Sequence, residues 1–329
     1  MKQTLLIAEN AVSAPGASVA RRFWWWLSND VRHQPASDPA RDGDLDWLRV
    51  APFIGLHLGC LLVFQVGVSA VAVAVAAGLY LSRMFFVTAF YHRYFSHRAF
   101  EAGRYTRLVM AVLGCTAGQR GPIWWAAHHR EHHLTADSAD DPHSPDQKGL
   151  LFSHTLWFLN RGSFQVHERR VQDWLRYREL RILEKLDWLP FLLLGAGCYG
   201  FGAFLQAYYP HLGTSGAQMF VWGFLVSTVV LYHATYSINS IAHRFGKRRF
   251  PTNDKSRNNF WLALITLGEG WHNNHHFYPV SARQGFQWWE LDISYLGLKA
   301  LEAVGLIDGL RPVPARILAQ GSSETRASS

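Results

Sequence analysis

Two long stretches without a charged side chain dominate the hydropathy pattern of the sequence. No Asp, Glu, Lys or Arg occurs from Val50 to Ser82, and none occurs at 188–243. A helix crosses the hydrocarbon core of a bilayer with about 20 apolar residues. With turns near 65–69 and 208–216, we predict transmembrane helices at about 50–68, 70–91, 188–206 and 218–240. A single kinked span is the alternative for the first stretch.

The basic residues indicate which side of the membrane each segment faces. Of the 32 Lys and Arg, six precede residue 50, fifteen lie at 83–185 and eleven follow residue 240. By the positive-inside rule, both termini and the middle segment face the cytoplasm. We therefore predict an all-α integral membrane protein, with four transmembrane helices in two hairpins beneath a cytosolic helical cap. A multi-pass protein of the bacterial inner membrane is the expected setting.

The remaining segments divide the chain into three parts. We expect a cytosolic, partly disordered leader at 1–49, a membrane domain at 50–310 and a disordered tail at 311–329. The run Arg21–Trp26 could anchor the leader in the headgroup layer, because tryptophans favour that layer, or it could contact nothing. Within the cap, 104–118 and 285–307 read as surface helices.

Composition narrows the chemistry. The net charge is +8, 49% of residues are hydrophobic, and 17 histidines stand against three isolated cysteines. Without a CxxC pair there is no disulfide framework, zinc knuckle or iron–sulfur signature. Apolar spans combined with a basic surface favour a lipid bilayer as the partner, and not a nucleic acid. Any metal site in this chain should be rich in nitrogen ligands.

Histidines recur at spacings that suit metal binding. His129, His132 and His133 share the i, i+3, i+4 spacing of His272, His275 and His276. Three such residues lie within about 100° on a helix, so each box presents one stripe of imidazoles. His92 and His97 would point about 140° apart on a regular helix, so they would bind different metals or lie at a helix end. Eight histidines exceed what one ion coordinates, which implies two ions; imidazole suits Zn, Cu, Fe or Ni.

Other histidines are ambiguous by pattern. Asn239 and His243 lie one helical turn apart at the end of the fourth predicted span, where a lone histidine could bind a metal, cap the helix or snorkel. His128 falls outside the HxxHH register. No spacing argues ligation for seven others: His33, His57, His143, His154, His167, His211 and His233.

Over roughly residues 50–300 the sequence resembles the membrane fatty acyl desaturases of the stearoyl-CoA Δ9 type. The resemblance is carried by the motifs His92–His97, Trp125–His133, Asp141–His143, Asn239–His243 and Gly268–His276. It implies a di-iron centre held by nine histidines: His92, His97, His129, His132, His133, His243, His272, His275 and His276. It further implies that Asn239 reaches one iron through a water, and that no other side chain acts as a catalytic acid or base.

The resemblance also implies the reaction. We expect an O2-dependent desaturase that introduces a cis double bond, expected at Δ9, into a saturated acyl chain carried by CoA. Removing hydrogens from unactivated methylenes is beyond any side chain, so the metal cofactor must do it. Two electrons would come from a separate donor protein of the ferredoxin, cytochrome or flavoprotein reductase type, because the sequence shows no haem-binding or iron–sulfur module.

Six positions match the substrate tunnel of the resembled family. Tyr80 and Met84 match residues that close the methyl end; Tyr80 lies twelve residues before His92, about 18 Å along a helix. The positions that match the bend of the acyl chain are Trp125, Thr235 and Tyr236, and Gln119 matches one near the carrier. Ordinary core or lipid-facing roles are the alternative for each.

The match has one departure, and other functions stay open. Animal-type members carry Arg-Asp, which contacts the CoA head group, where this chain has Ala127 and His128. A lipid-linked or protein-carried acyl group is therefore possible. Basic residues at 247–249 and Arg257 could bind phosphates or form a solvated loop. The alternatives are an acyl-lipid desaturase, a membrane di-iron lipid hydroxylase, a haem protein and a metal-binding or transport protein; transport would place ligands at mid-bilayer.

Overall fold

The computed structural model describes residues 27–28 and 42–320, and this part of the chain is helical, with isolated β-bridges but no β-strand. The main helices are α1 (Trp47–Val66), α2 (Ala70–Ser96), α3 (Arg104–Cys115), α4 (Pro122–Thr135), α5 (Arg178–Lys185), α6 (Trp188–Tyr208), α7 (Gly216–Ser240), α8 (Phe260–Ile265), α9 (His272–Phe277) and α10 (Ile293–Ala303). Shorter helical turns connect them: Pro145–Lys148, Phe152–Leu156, Trp157–Leu159, Gly162–Phe164, Glu168–Arg170, Gln172–Leu175 and Pro210–Leu212.

Four helices are long and apolar enough to cross a membrane, as predicted: α1, α2, α6 and α7. A break at 67–69 separates α1 from α2, so the alternative of one kinked span is wrong. Gly67 adopts a φ of 70°, which favours glycine, and the Ser69 hydroxyl caps α2 by accepting the Ala72 N–H. α1 begins at Trp47 and α2 extends to Ser96, beyond the predicted limits of 50 and 91.

Helix α7 lies at the centre of the bundle. It packs against α1, α2 and α6, and 61% of its most apolar window is buried, compared with 6% for α1. Small residues allow the closest of these contacts, because a Cβ on Gly202 would lie 2.5 Å from both Met219 Cβ and Ser215 O. The arrangement as two hairpins with a cytosolic cap stays a prediction.

The largest core surrounds the last turns of α2. Phe90, Tyr91 and Phe95 pack there against residues of α4 and α10 and against Trp174. This core anchors the segments between and after the spans onto the end of one long helix. It therefore fixes the position of the box on α4 relative to α2.

Two predicted boundaries of the cap differ from the structure. The surface helix expected at 285–307 is shorter, Ile293–Ala303, and follows an irregular segment. The tail expected from 311 is ordered up to residue 320: 315–320 is helical and Ile317 packs against Phe250 and Phe286. The predictions for the leader at 1–26, including Arg21–Trp26, and for 321–329 concern residues outside the described part of the chain.

Replacing Gly202 with alanine should destabilise the bundle, because the new Cβ cannot fit between α6 and α7. We expect a loss of about 1–3 kcal/mol, typical of overpacking, measured by thermal unfolding in detergent. Gly197→Ala is the matched control, since no atom lies within 4 Å of a Cβ built at Gly197 in the same helix. Equal stability of the two variants would contradict this account of the interface.

Candidate metal centre

The structure brings all nine predicted histidines together in two adjoining groups. One group contains five residues: His92, His97, His129, His133 and His275. The other contains four: His132, His243, His272 and His276. Within each group the candidate ligand nitrogens lie within 4.8 Å of one another, and each side chain is buried or half-buried. Two groups of this size match the two ions that the sequence implied.

Each HxxHH box contributes to both groups, so the stripe of imidazoles on each helix is divided between them. On α4, His129 and His133 face the group of five, while His132 faces the group of four. On α9 the division is reversed: His275 joins the group of five. The two helices lie side by side, with the rings of His133 and His276 stacked at 4.4 Å between centroids. Residues at i and i+4 share a face, and the residue between them reaches across to the other group of histidines.

A change of helical geometry brings His92 and His97 together. From Phe86 to Ser96, α2 continues as a π-helix, in which hydrogen bonds join residues five apart. The His97 N–H accordingly donates to the His92 carbonyl at 3.2 Å. The two rings lie 4.9 Å apart in one group, and His97 caps the end of α2; of the two alternatives, the helix end applies and binding to different metals does not. π-turns of this kind frequently mark functional sites.

The ring Nε2 atoms converge within each group. In the group of five, the Nε2–Nε2 distances are 3.0 Å for His92–His275, 2.8 Å for His97–His129, 3.0 Å for His129–His133 and 2.9 Å for His133–His275. In the group of four, His243 Nε2 and His272 Nε2 are 3.0 Å apart. The inward-facing atom is therefore the same ring nitrogen in both groups.

Buried carboxylates hold the opposite ring nitrogen of several of these histidines. Nδ1 of His243 lies 2.7 Å from Asp137, and Nδ1 of His276 lies 2.9 Å from Asp254. Nδ1 of His92 contacts Glu269, and Nδ1 of His132 is 3.4 Å from Asp141. A carboxylate that accepts the Nδ1–H leaves the Nε2 lone pair free for a metal.

The sequence analysis did not assign these four carboxylates to the site, although a signal was present. Asp141 and Glu269 lie inside motifs that carry the resemblance, and both are acidic residues with almost no exposure to solvent. Asp137 and Asp254 reach the site from loops, and no spacing in the sequence indicates their partners.

These carboxylates are held in the ionised form. Burial acts to raise the pKa of Glu269, but His92 and Arg93 lower it, and Arg93 Nη2 bonds Glu269 at 3.0 Å. Burial likewise opposes ionisation of Asp137, yet the hydrogen bond from His243 lowers its pKa to about 2. The pKa of Asp254 is also lowered, by its bond with His276 against the effect of burial. Negative charge therefore surrounds the two groups from outside.

The donor set fits transition metals that bind imidazole. Burial lowers the pKa of His129, His133 and His275 well below the ordinary value, so these rings are neutral. His276 Nε2 is buried without a hydrogen-bond partner in the described structure. Where Nδ1–H points to a carboxylate, as in His92 and His243, the inward lone pair faces another ring nitrogen. A cation between the rings would satisfy these atoms.

One cavity connects the histidines to most of the predicted substrate residues. It has a volume of about 340 Å³ and includes histidines of both groups in its wall. Five of the predicted residues also line it: Gln119, Trp125, Thr235, Tyr236 and Asn239. Gln119 Nε2 donates to Thr235 Oγ1 at 2.8 Å, which joins two walls of the cavity.

Tyr80 and Met84 do not line this cavity. They belong to the same apolar cluster as Val87, which does line it. The Tyr80 hydroxyl donates to the Ile265 carbonyl at 2.5 Å, so it ties α2 to α8. This location, beside a residue of the cavity wall, is compatible with a closed methyl end and with ordinary packing.

The structure also shows the surroundings of His143, His128 and the basic loop, to which the sequence assigned no definite role. His143 lies with Asp141 beside His132, in a third possible metal-binding group that shares His132. His128 lies outside all three groups, and its Nε2 is 2.8 Å from the Gln165 carbonyl. In the basic loop at 244–257, Arg249 forms an ion pair with Glu290 at 2.5 Å.

Comparison with known proteins identifies relatives of one kind. A family model described as fatty acid desaturase matches residues 68–301. The sn-1 stearoyl-lipid 9-desaturase of Anabaena variabilis is 34% identical over 270 residues, which is 81% of this chain and 94% of that protein. An acyl-CoA 5-desaturase of Anemone leveillei is 36% identical over 237 residues, 71% of this chain and 69% of that protein. A probable chloroplastic lipid desaturase of Arabidopsis thaliana is 37% identical over 228 residues, 68% of this chain but only 59% of that relative's length.

Replacing Asp254 with asparagine should weaken metal binding at the group of four. Loss of a carboxylate that orients a ligand typically costs about 10–100-fold in affinity. We expect chelators of graded strength to remove one of two ions from the Asp254→Asn variant before the other, measured by elemental analysis. Asp140→Asn is the control, because Asp140 is exposed on the loop that carries Asp137 and Asp141. If the Asp254→Asn variant retained both ions as strongly as the wild type does, the role assigned to Asp254 would be contradicted.

Metal retention should extend to acidic pH. Burial lowers the pKa of His276 to about 4, and a histidine binds metal only when neutral. The ring therefore stays competent as the pH falls through about 6.5, where an exposed histidine titrates, and is lost only near its own pKa. The midpoint of metal loss, measured as metal content from pH 7.5 downwards, should lie at a clearly lower pH than the midpoint for an exposed histidine tag. Release of both ions with a midpoint near the tag's would contradict this.

Proposed function

Because the chain belongs to the fatty acid desaturase family, we propose that it is an O2-dependent acyl desaturase with a di-iron centre. The observation that supports this best is the division of nine histidines into groups of five and four along one cavity. In this proposal the nine histidines hold two irons, and Asn239, on the cavity wall, reaches one of them through a water. Bound iron would supply the O2 activation and hydrogen removal that no side chain can perform.

The chain itself would position the substrate and exclude water. Trp125 stacks beside His129, with ring centroids 5.0 Å apart, and both line the cavity. Tyr236 forms another part of the wall, and most of the lining near the histidines is aromatic or aliphatic. A saturated acyl chain is a suitable occupant of such a cavity, and fixing one carbon pair beside the metals would set the double-bond position. We propose a cis double bond at Δ9.

Two acyl carriers are candidates for the substrate. Acyl-CoA was expected from the resemblance, but Ala127 and His128, at the positions that contact the CoA head group in animal-type members, are buried. His128 is also engaged with the Gln165 carbonyl. A lipid-linked acyl chain is the second candidate, and relatives named for acyl-lipid and acyl-CoA substrates both occur.

The remaining parts of the proposal concern topology and electrons. We propose that the metal groups, which follow the ends of α2 and α7, face the cytoplasm together with both termini. A separate electron-donor protein would supply two electrons for each double bond. We propose a bacterial inner membrane as the setting, whereas one relative is named as chloroplastic.

Expression in a host whose membrane lacks unsaturated lipids tests the reaction. Mass spectrometry of the host's fatty acids should show new monounsaturated chains, and His275→Ala should abolish them because it removes a ligand. Hydroxylated chains in their place would identify a lipid hydroxylase. The absence of both products, from a protein shown to contain two irons per molecule and supplied with reductant, would overturn the proposal. Purified protein offered stearoyl-CoA or a stearoyl phospholipid would then distinguish the carriers.

Shortening Tyr80 should lengthen the accepted acyl chain if Tyr80 closes the methyl end of the tunnel. We expect Tyr80→Ala to shift the product distribution towards longer chains by about two to four carbons, since the vacated ring space extends the cavity. Leu81→Ala is the matched control, because the neighbouring Leu81 is 50% exposed on the outside of α2. An unchanged chain-length preference in Tyr80→Ala would remove the assignment.

A further inference from the structure

Three histidines outside the nine form a hydrogen-bonded chain within the bundle. His57 lies on α1, His233 on α7 and His154 in the turn Phe152–Leu156. His57 Nε2 is 3.1 Å from His233 Nε2, and His233 Nδ1 is 3.0 Å from His154 Nε2. The two contacts use opposite nitrogens of His233, so the three rings do not converge on one point as metal ligands would. This is a chain of hydrogen bonds.

The groups at the two ends determine which nitrogen donates and which accepts in each hydrogen bond between the three histidines. His57 Nδ1 lies 2.7 Å from the Phe53 carbonyl, which can only accept, so Nδ1 carries the hydrogen and Nε2 accepts. His233 must then donate from Nε2 and accept at Nδ1 from His154. The remaining nitrogen of His154 lies 3.0 Å from the hydroxyl of Ser240, which can donate either to this nitrogen or to the Tyr236 carbonyl. When Ser240 donates to His154, every ring nitrogen is satisfied with all three histidines neutral, and burial and the nearby His233 lower the pKa of His154 accordingly.

Polar groups at this depth need a purpose, because an apolar side chain would avoid their desolvation. Helix α1 has little fully buried surface, since Val50 is the one fully buried residue in Trp47–Gly59, all of which the structure describes. Another hydrogen bond with α7, from Gln218 to the Val66 carbonyl, lies at the last residue of α1. In a bilayer, apolar side chains gain little by leaving lipid for another helix. The bond between His57 and His233 is therefore a specific determinant of where α1 lies against α7.

The chain lies directly behind one wall of the substrate cavity. Phe53, one turn before His57, lines the cavity, and so does Tyr236, which follows His233 by three residues. Phe158, also in the wall, connects them, with ring centroids 5.7 Å from Phe53 and 4.8 Å from Tyr236. A shift of α1 relative to α7 would separate these rings and change the shape of the cavity.

We propose that His57, His154 and His233 are positioning residues that keep this aromatic wall in place and so determine which carbon pair lies beside the metals. The inference rests on the proposed desaturase function, because it concerns the position of the double bond. It assigns the three histidines to selectivity and not to metal binding or hydrogen removal. Breaking the chain should therefore blur the product, while the metal groups stay intact.

Replacing His233 with leucine removes both internal bonds of the chain. In the host lacking unsaturated lipids, we expect the share of minor positional isomers among C16 and C18 products to rise about five-fold, the factor for one net hydrogen bond. Metal content should be unchanged. His233→Gln should restore much of the selectivity, since an amide can donate to His57 and accept from His154. His211→Leu is the control, because His211 is exposed and outside the chain.

The outcomes separate this inference from the proposed function. An unchanged isomer ratio in His233→Leu, or a lower yield at an unchanged ratio, would overturn the positioning role. If the wild type makes no unsaturated product, the proposed function fails by itself. The hydrogen bonds between the three histidines are then tested by a double-mutant cycle of His57→Leu and His233→Leu in thermal unfolding. Strictly additive losses of stability would overturn the coupling of His57 and His233, and non-additive losses would support it.

Discussion

The structure depends on burying many neutral imidazoles with their Nε2 atoms facing one another. Such an arrangement is unfavourable unless each ring is oriented from behind and a cation lies in front. Asp137, Asp254 and Glu269 provide the first condition by contacting Nδ1 of His243, His276 and His92. Ionised carboxylates outside and neutral rings inside form two shells of opposite character. The rest of the fold serves to bring these shells together from segments far apart in sequence.

Backbone geometry does much of that work. The π-helical end of α2 places His97 one turn beyond His92, and the core around Phe95 and Trp174 holds that end rigidly. Glu184 anchors the start of α4 by accepting the N–H groups of Ile123 and Trp124. Burial, together with Asp187, raises the pKa of Glu184 to about 8, so this anchor is sensitive to its surroundings. The histidine boxes are thus positioned by helix ends, and loops contribute chiefly the carboxylates.

The sequence was sufficient for the spans and for eight of the nine histidines, because both follow from local patterns, whereas His243 was assigned only through the family resemblance. A run of apolar residues determines a membrane helix wherever it occurs, and the HxxHH spacing determines a shared face. The division of each box between two groups could not be predicted, since it depends on how α4 and α9 lie against each other. The spacing of His92 and His97 left two alternatives open, because a regular helix would separate these residues whereas the π-helical end of α2 brings them together. Asp137 and Asp254 lie on loops, where no periodicity connects a residue to its partner.

Polar side chains occur in this bundle both in the two groups formed by the nine histidines and in the hydrogen bonds of His57, His154 and His233. Both occurrences have the same physical reason. Hydrophobic burial cannot specify how helices pack in lipid, because lipid is as apolar as the helix surface. Close contacts at Gly202 fix α6 against α7, whereas α1 offers little buried surface. Directional hydrogen bonds from His57 supply what packing does not, and they do so beside Phe53, at the cavity wall. Because few bonds hold α1, this helix is the part of the cavity wall that can move with the smallest loss of contacts. Its attachment to α7 is therefore a natural place for selectivity to be set.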